Sequence, residues 1–420
     1  MKKAVLIIIT FLTVLPLLAQ EESTFGITWS GYVKNDFFFD SRQTVAAREG
    51  HFLLWPAPVK ADINGEDINA RPNFNMLAVQ SRLKAAISGP DAFGAKTSGL
   101  IEADFFAQEN ANINLLRLRH AFVQFNWTHL EVLAGQYWNP LFVTDCFPGT
   151  VSFNTGAPLQ SFARNPQLRL SYKSGDLKFM AAALSQRDYS SRGEIGVSSS
   201  YLRNSAMPDM HLQAMYSPED ANGNTTLNIG AGIAYKTIVP RLNSSFGPVT
   251  MYKVDEKVGG ITAIAFMKVV TAPFTVKAQA RYGENIADVL AISGFAIKDV
   301  VDNITGELSY TPLKSMTFWG EIHTNGTKVQ AGLFGGFSKN MGTTEAMSDP
   351  DNDVYGLATD IHFLYRVSPR LIINSGKARL AFELEYTAAA YGEDRDVYYI
   401  PGNTTMANNL RALIAVYYFF

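Results

Sequence analysis

Charged side chains in this chain recur at every second position within short stretches. Arg82 and Lys84 stand two apart, as do Glu102 and Asp104, and Arg117 and Arg119; Arg169 and Lys173 share the same parity, with Arg164 just upstream. In an extended chain, residues two apart lie on one face, so each pair marks one face of one strand. Guanidinium and ammonium groups lining a narrow aqueous path concentrate anions and grip carboxylates bidentately. Glu102 and Asp104 fall on the strand between two basic ones, where cross-strand pairing neutralises part of that charge. The chemistry on offer is the binding and passage of ions, not bond making.

Nothing else in the chain points to catalysis. His51, His120, His129, His211, His323 and His362 are scattered, and neither a G-x-S-x-G elbow, an H-E-x-x-H pair nor a phosphate-cradling glycine loop occurs. The chain therefore reads as no enzyme, with no cofactor and no metal ligand set. Asp349-Pro-Asp351-Asn-Asp353 resembles the start of a calcium loop, but Val354 stands where glycine is expected. A solvated acidic loop tip is the expectation there, with a calcium or lipopolysaccharide-bridging cation as the alternative. The single cysteine, Cys146, excludes an intramolecular disulfide framework. A net charge of -2 gives no reason to expect nucleic acid.

The elements that carry these charges alternate apolar and polar residues with period two. Leu77, Val79, Leu83, Ala85 and Ile87 oppose Gln80, Arg82 and Lys84; Leu116, Leu118 and Phe122 oppose Arg117 and Arg119; Leu168, Leu170 and Tyr172 oppose Gln167, Arg169, Ser171 and Lys173. Hydrophobic residues make up 47% of the chain and charged residues 18%, yet mean hydropathy is only -0.01. Apolar and polar residues are thus interleaved, as in a wall between oil and water.

The one long apolar run is N-terminal. Lys2 and Lys3 precede Ala4 to Leu18, and the chain then turns polar at Gln20-Glu21-Glu22. This predicts a signal peptide over residues 1–20 and export, with residues 21–420 forming one transmembrane β-barrel domain. Connections alternate in length. Short links at Asn126–Thr128, Ser174–Asp176 and Thr311–Lys314 interleave with long ones at Asp40–Pro72, Asn139–Asn165, Asn285–Asn303 and Asn325–Asp353. Short periplasmic turns and long extracellular loops describe an all-β antiparallel barrel of about sixteen strands. Eighteen remain open where Leu371-Ile372-Ile373 is either strand or turn. Tyr32, Phe37, Phe105, Trp127, Trp138, Trp319, Tyr365 and Tyr386 fall toward strand ends, where interfacial girdles form. The last strand alternates Ile414, Val416, Tyr418 and Phe420 on one face, and the terminal aromatic Phe420 resembles the signal read by the barrel-assembly machinery.

Three segments then carry a family resemblance. Leu116-Arg117-Leu118-Arg119-His120-Ala121-Phe122-Val123-Gln124-Phe125, Leu133-Ala134-Gly135-Gln136-Tyr137-Trp138 and Arg164-Asn165-Pro166-Gln167-Leu168-Arg169 follow in that order, and together they resemble the DcaP-like trimeric porins of Gram-negative bacteria. The match covers about sixty residues by motif and the rest by architecture only. The resemblance implies a homotrimer of sixteen-stranded barrels in the outer membrane, set in lipid and lipopolysaccharide, that passes small hydrophilic solutes, often anions such as dicarboxylates. The long Asp40–Pro72 segment, with Trp55-Pro56-Ala57-Pro58, departs from that pattern, so loop-dependent selectivity is not carried over.

The loop 139–165 follows the fifth strand, where general porins fold a loop into the lumen. Pro140, Pro148, Gly149, Gly156 and Pro158 allow tight turning, and Phe142, Phe147, Phe153 and Phe162 would pin it to the wall. Asp145 is its one acidic residue. The expectation is a diffusion pore with a modest anion preference, lined by Arg82, Lys84, Glu102, Asp104, Arg117, Arg119, Asp145, Arg164, Arg169 and Lys173. The alternatives are a substrate-specific channel with an internal binding site and a non-conducting structural or adhesion barrel.

Overall fold

A computed structural model describes residues 25–107, 109–218, 225–246 and 250–420; the predicted signal peptide at 1–20 lies outside the described residues. The chain forms a closed antiparallel barrel of sixteen strands. These are β1 (Gly26–Asp40), β2 (Asn73–Leu77 continued by Arg82–Ser88), β3 (Lys96–Asp104), β4 (Arg117–Asn126), β5 (Leu130–Trp138), β6 (Arg164–Ser174), β7 (Leu177–Leu184) and β8 (Asp209–Tyr216). The second half comprises β9 (Thr226–Ile238), β10 (Val258–Val270), β11 (Phe274–Glu284), β12 (Glu307–Thr324), β13 (Val329–Thr343), β14 (Ile361–Ser375), β15 (Ala378–Tyr391) and β16 (Thr405–Phe419). The ring closes where β1 pairs with β16, Tyr32 opposite Phe419 and Asp40 opposite Arg411. Phe420 seals the seam by exchanging backbone hydrogen bonds with Gly31 at 3.1 and 3.2 Å. Closure pairs the first strand with the last, so the sheet has no free terminal strand, as a wall in lipid requires.

The outer face is apolar and exposed in the isolated chain: Leu168, Leu170 and Tyr172 on β6, Ile229, Ile233 and Tyr235 on β9, and Ile414, Val416 and Tyr418 on β16. The inner face buries Lys34, Asp36, Arg366, Arg370, Glu383, Glu385 and Arg411. This inversion of the usual soluble pattern is what the two-residue period demands once the solvent outside is hydrocarbon. No helix among the described residues is long and apolar enough to cross a membrane; the crossing elements are strands.

Two sequence expectations change, and they compensate. No turn occurs at Thr311–Lys314, because β12 runs through it, and the expected loop Asn325–Asp353 contains β13. Pro312 reads as a breaker, but it lies opposite Phe295 on a loop-side rim strand, Ser293–Asp302, at the level where β12 has left its partner β11. A missing N–H is tolerated at such a place. The true turn is Asn325-Gly326-Thr327-Lys328, whose Asn-Gly pair is a hairpin signal. Leu371, Ile372 and Ile373 belong to β14 and pair with β15, which removes the eighteen-strand alternative. Of the expected girdle, Tyr32, Trp138 and Trp319 point inward. Their register partners are inner-wall residues, and Trp319 is 2% exposed with its indole N–H on Gln279 Oε1.

The motifs behind the resemblance have a local structural cause. On β4 a β-bulge opposite Glu102 and Ala103 takes up an extra residue, so Arg117, Arg119 and His120 all turn inward. The bulge reverses the phase beyond it: Val123, not Phe122, continues the outer row, and Phe122 packs edge-on to Tyr137 at 5.1 Å. Gly135 on β5 has φ +137°, and a Cβ there would lie 2.2 Å from the Ala121 carbonyl oxygen. Gln136 donates its amide to the carbonyl oxygens of Leu118 and Arg119, at the bulge, at 3.3 and 2.9 Å. Glycine and glutamine thus make the bulge possible and satisfy it.

Candidate pore constriction

The loop 139–163 leaves β5 and crosses the barrel interior. At its base Asn139 Oδ1 accepts the Leu141 N–H at 3.0 Å, and Asn139 Nδ2 donates to Asn165 Oδ1 at 3.2 Å, tying the two ends together. The far wall then holds it by residue after residue. Gln279 donates to the Leu141 carbonyl at 3.2 Å, Lys277 to the Phe147 carbonyl at 3.0 Å, and Arg281 to Ser161 Oγ at 2.5 Å. Glu321 accepts the Gly149 N–H; Glu383 accepts those of Val151 and Ser152 at 2.6 and 3.2 Å; Glu385 accepts both its bonds from Asn154 Nδ2, at 3.2 and 3.0 Å. Lys34 reaches the Val151 carbonyl at 3.1 Å. A loop buried in a barrel must satisfy its backbone groups, and strands β11, β12, β15 and β1 supply the partners.

A second loop enters the barrel that sequence reading did not place there. Residues Thr44–Ala47 and Phe52–Pro56 form a hairpin whose Phe52, Leu53, Leu54 and Trp55 are buried. Arg366, 0% exposed, joins both loops: its Nη1 donates to the Ala157 carbonyl and its Nη2 to the Leu54 carbonyl, each at 2.7 Å. Asn154 Nδ2 adds a bond to the Leu53 carbonyl at 3.1 Å. Around the loops the rings interlock: Phe52 of the hairpin meets Phe162 of the crossing loop edge-on at 5.1 Å, Phe106 of the β3–β4 connection stacks on Phe153 at 4.0 Å, and Trp138 of β5 stacks on Phe142 at 3.9 Å. Each such pair contributes about 0.5–1.5 kcal/mol beyond its buried area. His51, at the hairpin, stacks near Phe38 and Phe153 and bonds Asp36 at 2.8 Å. Burial, outweighing that bond, holds its imidazole below the usual histidine range.

The sequence-predicted residues divide into three groups. Arg117 grips Asp104 through two bonds of 3.1 and 3.0 Å; Arg119 bonds Glu102 at 2.7 Å and Asp104 at 2.8 Å; Arg82 lies 3.6 Å from Glu102. Arg164 pairs with Asp188 of the loop 185–208 at 2.9 and 2.6 Å. Although burial works against its charge, the Arg164 and Arg117 guanidinium groups hold the Asp188 carboxyl below the usual carboxylate range. This cluster is wall structure: Arg117, Arg119 and Arg164 are 6%, 2% and 1% exposed. Asp145 and Arg169 form the second group. They face one another across a cleft of about 50 Å³ between the loop and β6 to β8, shared with Thr144, Lys178 and Gln213. That is room for a few waters. Lys84 and Lys173 form the third, set toward the turn side, Lys173 opposite Lys178 in the ladder. Neither makes an ion pair among the described residues.

Lys178, Lys34, Arg366, Arg370, Asp188, Glu321, Glu383 and Glu385 are not among the pore-lining residues that the sequence singles out. The available signal is charge set into an otherwise apolar strand, as with Arg411 alone in Leu410–Phe420 and Lys34 with Asp36, two residues apart, in Tyr32–Phe39. Cys146 lies buried in the loop, donating toward the Met267 carbonyl at 3.2 Å, and burial pushes its thiol up to about 11.

Among solved structures, the outer membrane channel DcaP of Acinetobacter baumannii aligns over 94% of this chain and 97% of its own, with a TM-score of 0.67 at 16% identity. The chain has the fold of the DcaP-like porins. The anion-selective porin from Comamonas acidovorans aligns over 94% of this chain and all of its own at TM-score 0.53 and 9% identity. OmpT of Vibrio cholerae in its trimer form gives 0.52 at 9%, with the same coverage. No family model and no curated protein sequence matches. A closed sixteen-stranded porin barrel with an apolar exterior is the architecture of an integral outer-membrane protein.

Proposed function

We propose that this chain is an outer-membrane diffusion channel for small hydrophilic solutes with a modest preference for anions. One observation carries the reading: the loop 139–163 lies across the barrel, fastened to the far wall, and leaves a narrow polar cleft against β6 to β8 in which Arg169 and Lys178 face Asp145 alone. A narrow path with more positive than negative groups raises the local anion concentration. The domain reading is a leader at 1–20 followed by one membrane domain at 21–420, with 139–165 as the constriction. Homotrimer assembly is part of the proposal, supported by the likeness to an outer membrane protein solved in a trimer form. So are contacts of the outer face with lipid and lipopolysaccharide, and recognition of the Phe420 end by the barrel-assembly machinery.

The hairpin from the first long loop favours a second reading, a substrate-specific channel, because two inserted loops leave less open lumen than one. Planar-bilayer recording separates the two. A diffusion channel gives ohmic conductance steps that reverse on the anion side of a potassium chloride gradient. A specific channel gives small steps that its solute blocks. Absence of any conductance by folded protein overturns both.

A further inference from the structure

Below the constriction, toward the turn side, the inner wall carries a feature that the charge ladder does not use. The row of β16 opposite its lipid-facing residues contains Ala415, Tyr417 and Phe419. Register places them inside: Tyr417 pairs with Lys34 and Phe419 with Tyr32, and Lys34 Nζ donates to the Val151 carbonyl of the constriction loop. Three rings meet there. Tyr417 and Phe419 lie nearly parallel, 5.6 Å apart at 4°, and Tyr32 stands edge-on to both at 5.7 Å. All three are half-buried.

Cations frame this patch. Lys34 Nζ sits 4.9 Å above the Tyr417 ring, Arg82 Cζ is 5.3 Å from Tyr32, and Arg379 Cζ is 5.1 Å from Phe419 and 5.7 Å from Tyr417. Lys34 is spent on Asp36 at 2.9 Å, and Arg82 faces Glu102. Arg379 differs. Its Nε donates to Asn374 Oδ1 at 2.8 Å, no carboxylate lies within ion-pair distance, and neither Nη atom has a hydrogen-bond partner among the described residues. A guanidinium set against aromatic rings with both Nη atoms unspent can take a carboxylate bidentately while the rings hold a planar body beside it.

We propose that Tyr32, Tyr417, Phe419 and Arg379 form a turn-side subsite for planar aromatic monocarboxylates, the ring packing beside the aromatic trio and the carboxylate on the Arg379 Nη atoms. This rests on the reading of the chain as a solute channel. The unpaired Arg379 charge disfavours aromatic cations, and the lack of an unspent carboxylate beside the rings disfavours neutral sugars, whose hydroxyl groups need acceptors.

The test uses folded full-length protein with sodium benzoate as the probe. Titration calorimetry in detergent should show benzoate binding about tenfold more tightly than acetate, with no binding of benzylamine or maltose. Arg379→Gln and Tyr417→Leu should each weaken benzoate about fivefold or more while leaving acetate unchanged; heat-modifiable migration on gels checks that both variants keep the barrel. In bilayers, benzoate added on the turn side should interrupt the current, less so in either variant. Benzoate no tighter than acetate, maltose binding in its place, or a folded Arg379→Gln that binds benzoate unchanged each overturns the subsite. Current without benzoate preference removes the subsite and keeps the channel, whereas benzoate binding without current removes the channel and keeps the subsite.

Discussion

The two sides of the inner wall treat the crossing loop differently. On β11, β12, β14, β15 and β1, Lys277, Gln279, Arg281, Glu321, Arg366, Glu383, Glu385 and Lys34 take up backbone or side-chain groups of the loop. On β6 to β8, Arg169 spends its bonds on Gln167 Oε1 and the Trp138 carbonyl, within its own wall, and a cleft separates it from Asp145. One side fixes the loop and the other leaves a small polar cleft beside it. The lesson is that inward charge has two uses, and burial with hydrogen-bond partners tells them apart. A charge whose bonds are all consumed is a strut; one that faces a cleft is placed to meet solute, as the proposed channel requires.

The largest change should come from removing what the fixing side holds. Deletion of residues 146–153 should raise single-channel conductance roughly twofold or more; unchanged conductance would break the assignment of this loop as the constriction. Next is Asp104→Asn, which strands Arg117 and Arg119 without their shared carboxylate. Breaking one partner of a buried pair costs about 3–5 kcal/mol, so the thermal midpoint of barrel unfolding should fall with selectivity little changed. Arg169→Gln combined with Lys178→Gln should do the reverse, moving the reversal potential toward cations with unfolding unaltered. If instead Arg117→Gln moves the potential and the Arg169 pair does not, strut and cleft have been exchanged.

A smaller effect belongs to the first-loop hairpin. His51 is kept from protonating by burial, so the docked hairpin binds fewer protons than the released one once pH falls below the ordinary histidine value of about 6.5. Docking weakens as pH falls through that range, and protease cleavage within residues 44–56 should be faster at pH 5 than at pH 7.5. His51→Gln should flatten the difference. The smallest effect concerns Lys298 and Glu345, 2.7 Å apart but 35% and 56% exposed on the loop side. Removing either should change stability by less than about 1 kcal/mol.

Much of the barrel was legible because its governing variable is local. A two-residue period reports which solvent lies on each side of a strand, and it identified β2, β6 and β16 without reference to any neighbour. It failed where local chemistry misleads: Pro312 looked like a turn while Asn325-Gly326 was one, and the β4 bulge reversed the faces of Phe122 and Val123. The candidate site was legible only as an inventory. Arg82, Arg117, Arg119 and Arg169 all carry the same two-residue signature, and nothing in that signature separates the ion-paired Arg117 from Arg169 at the cleft.

The sequence by itself determined the wall: alternation, the short and long connections, and the terminal aromatic strand follow from the cost of exposing backbone and charge to hydrocarbon. Only the tertiary structure decided the lumen. Which charges are consumed depends on loops arriving from residues far away in the chain, such as Val151 on Glu383 and Leu54 on Arg366. Contacts between segments so distant leave no period in either one, because each is set by the other's position in space.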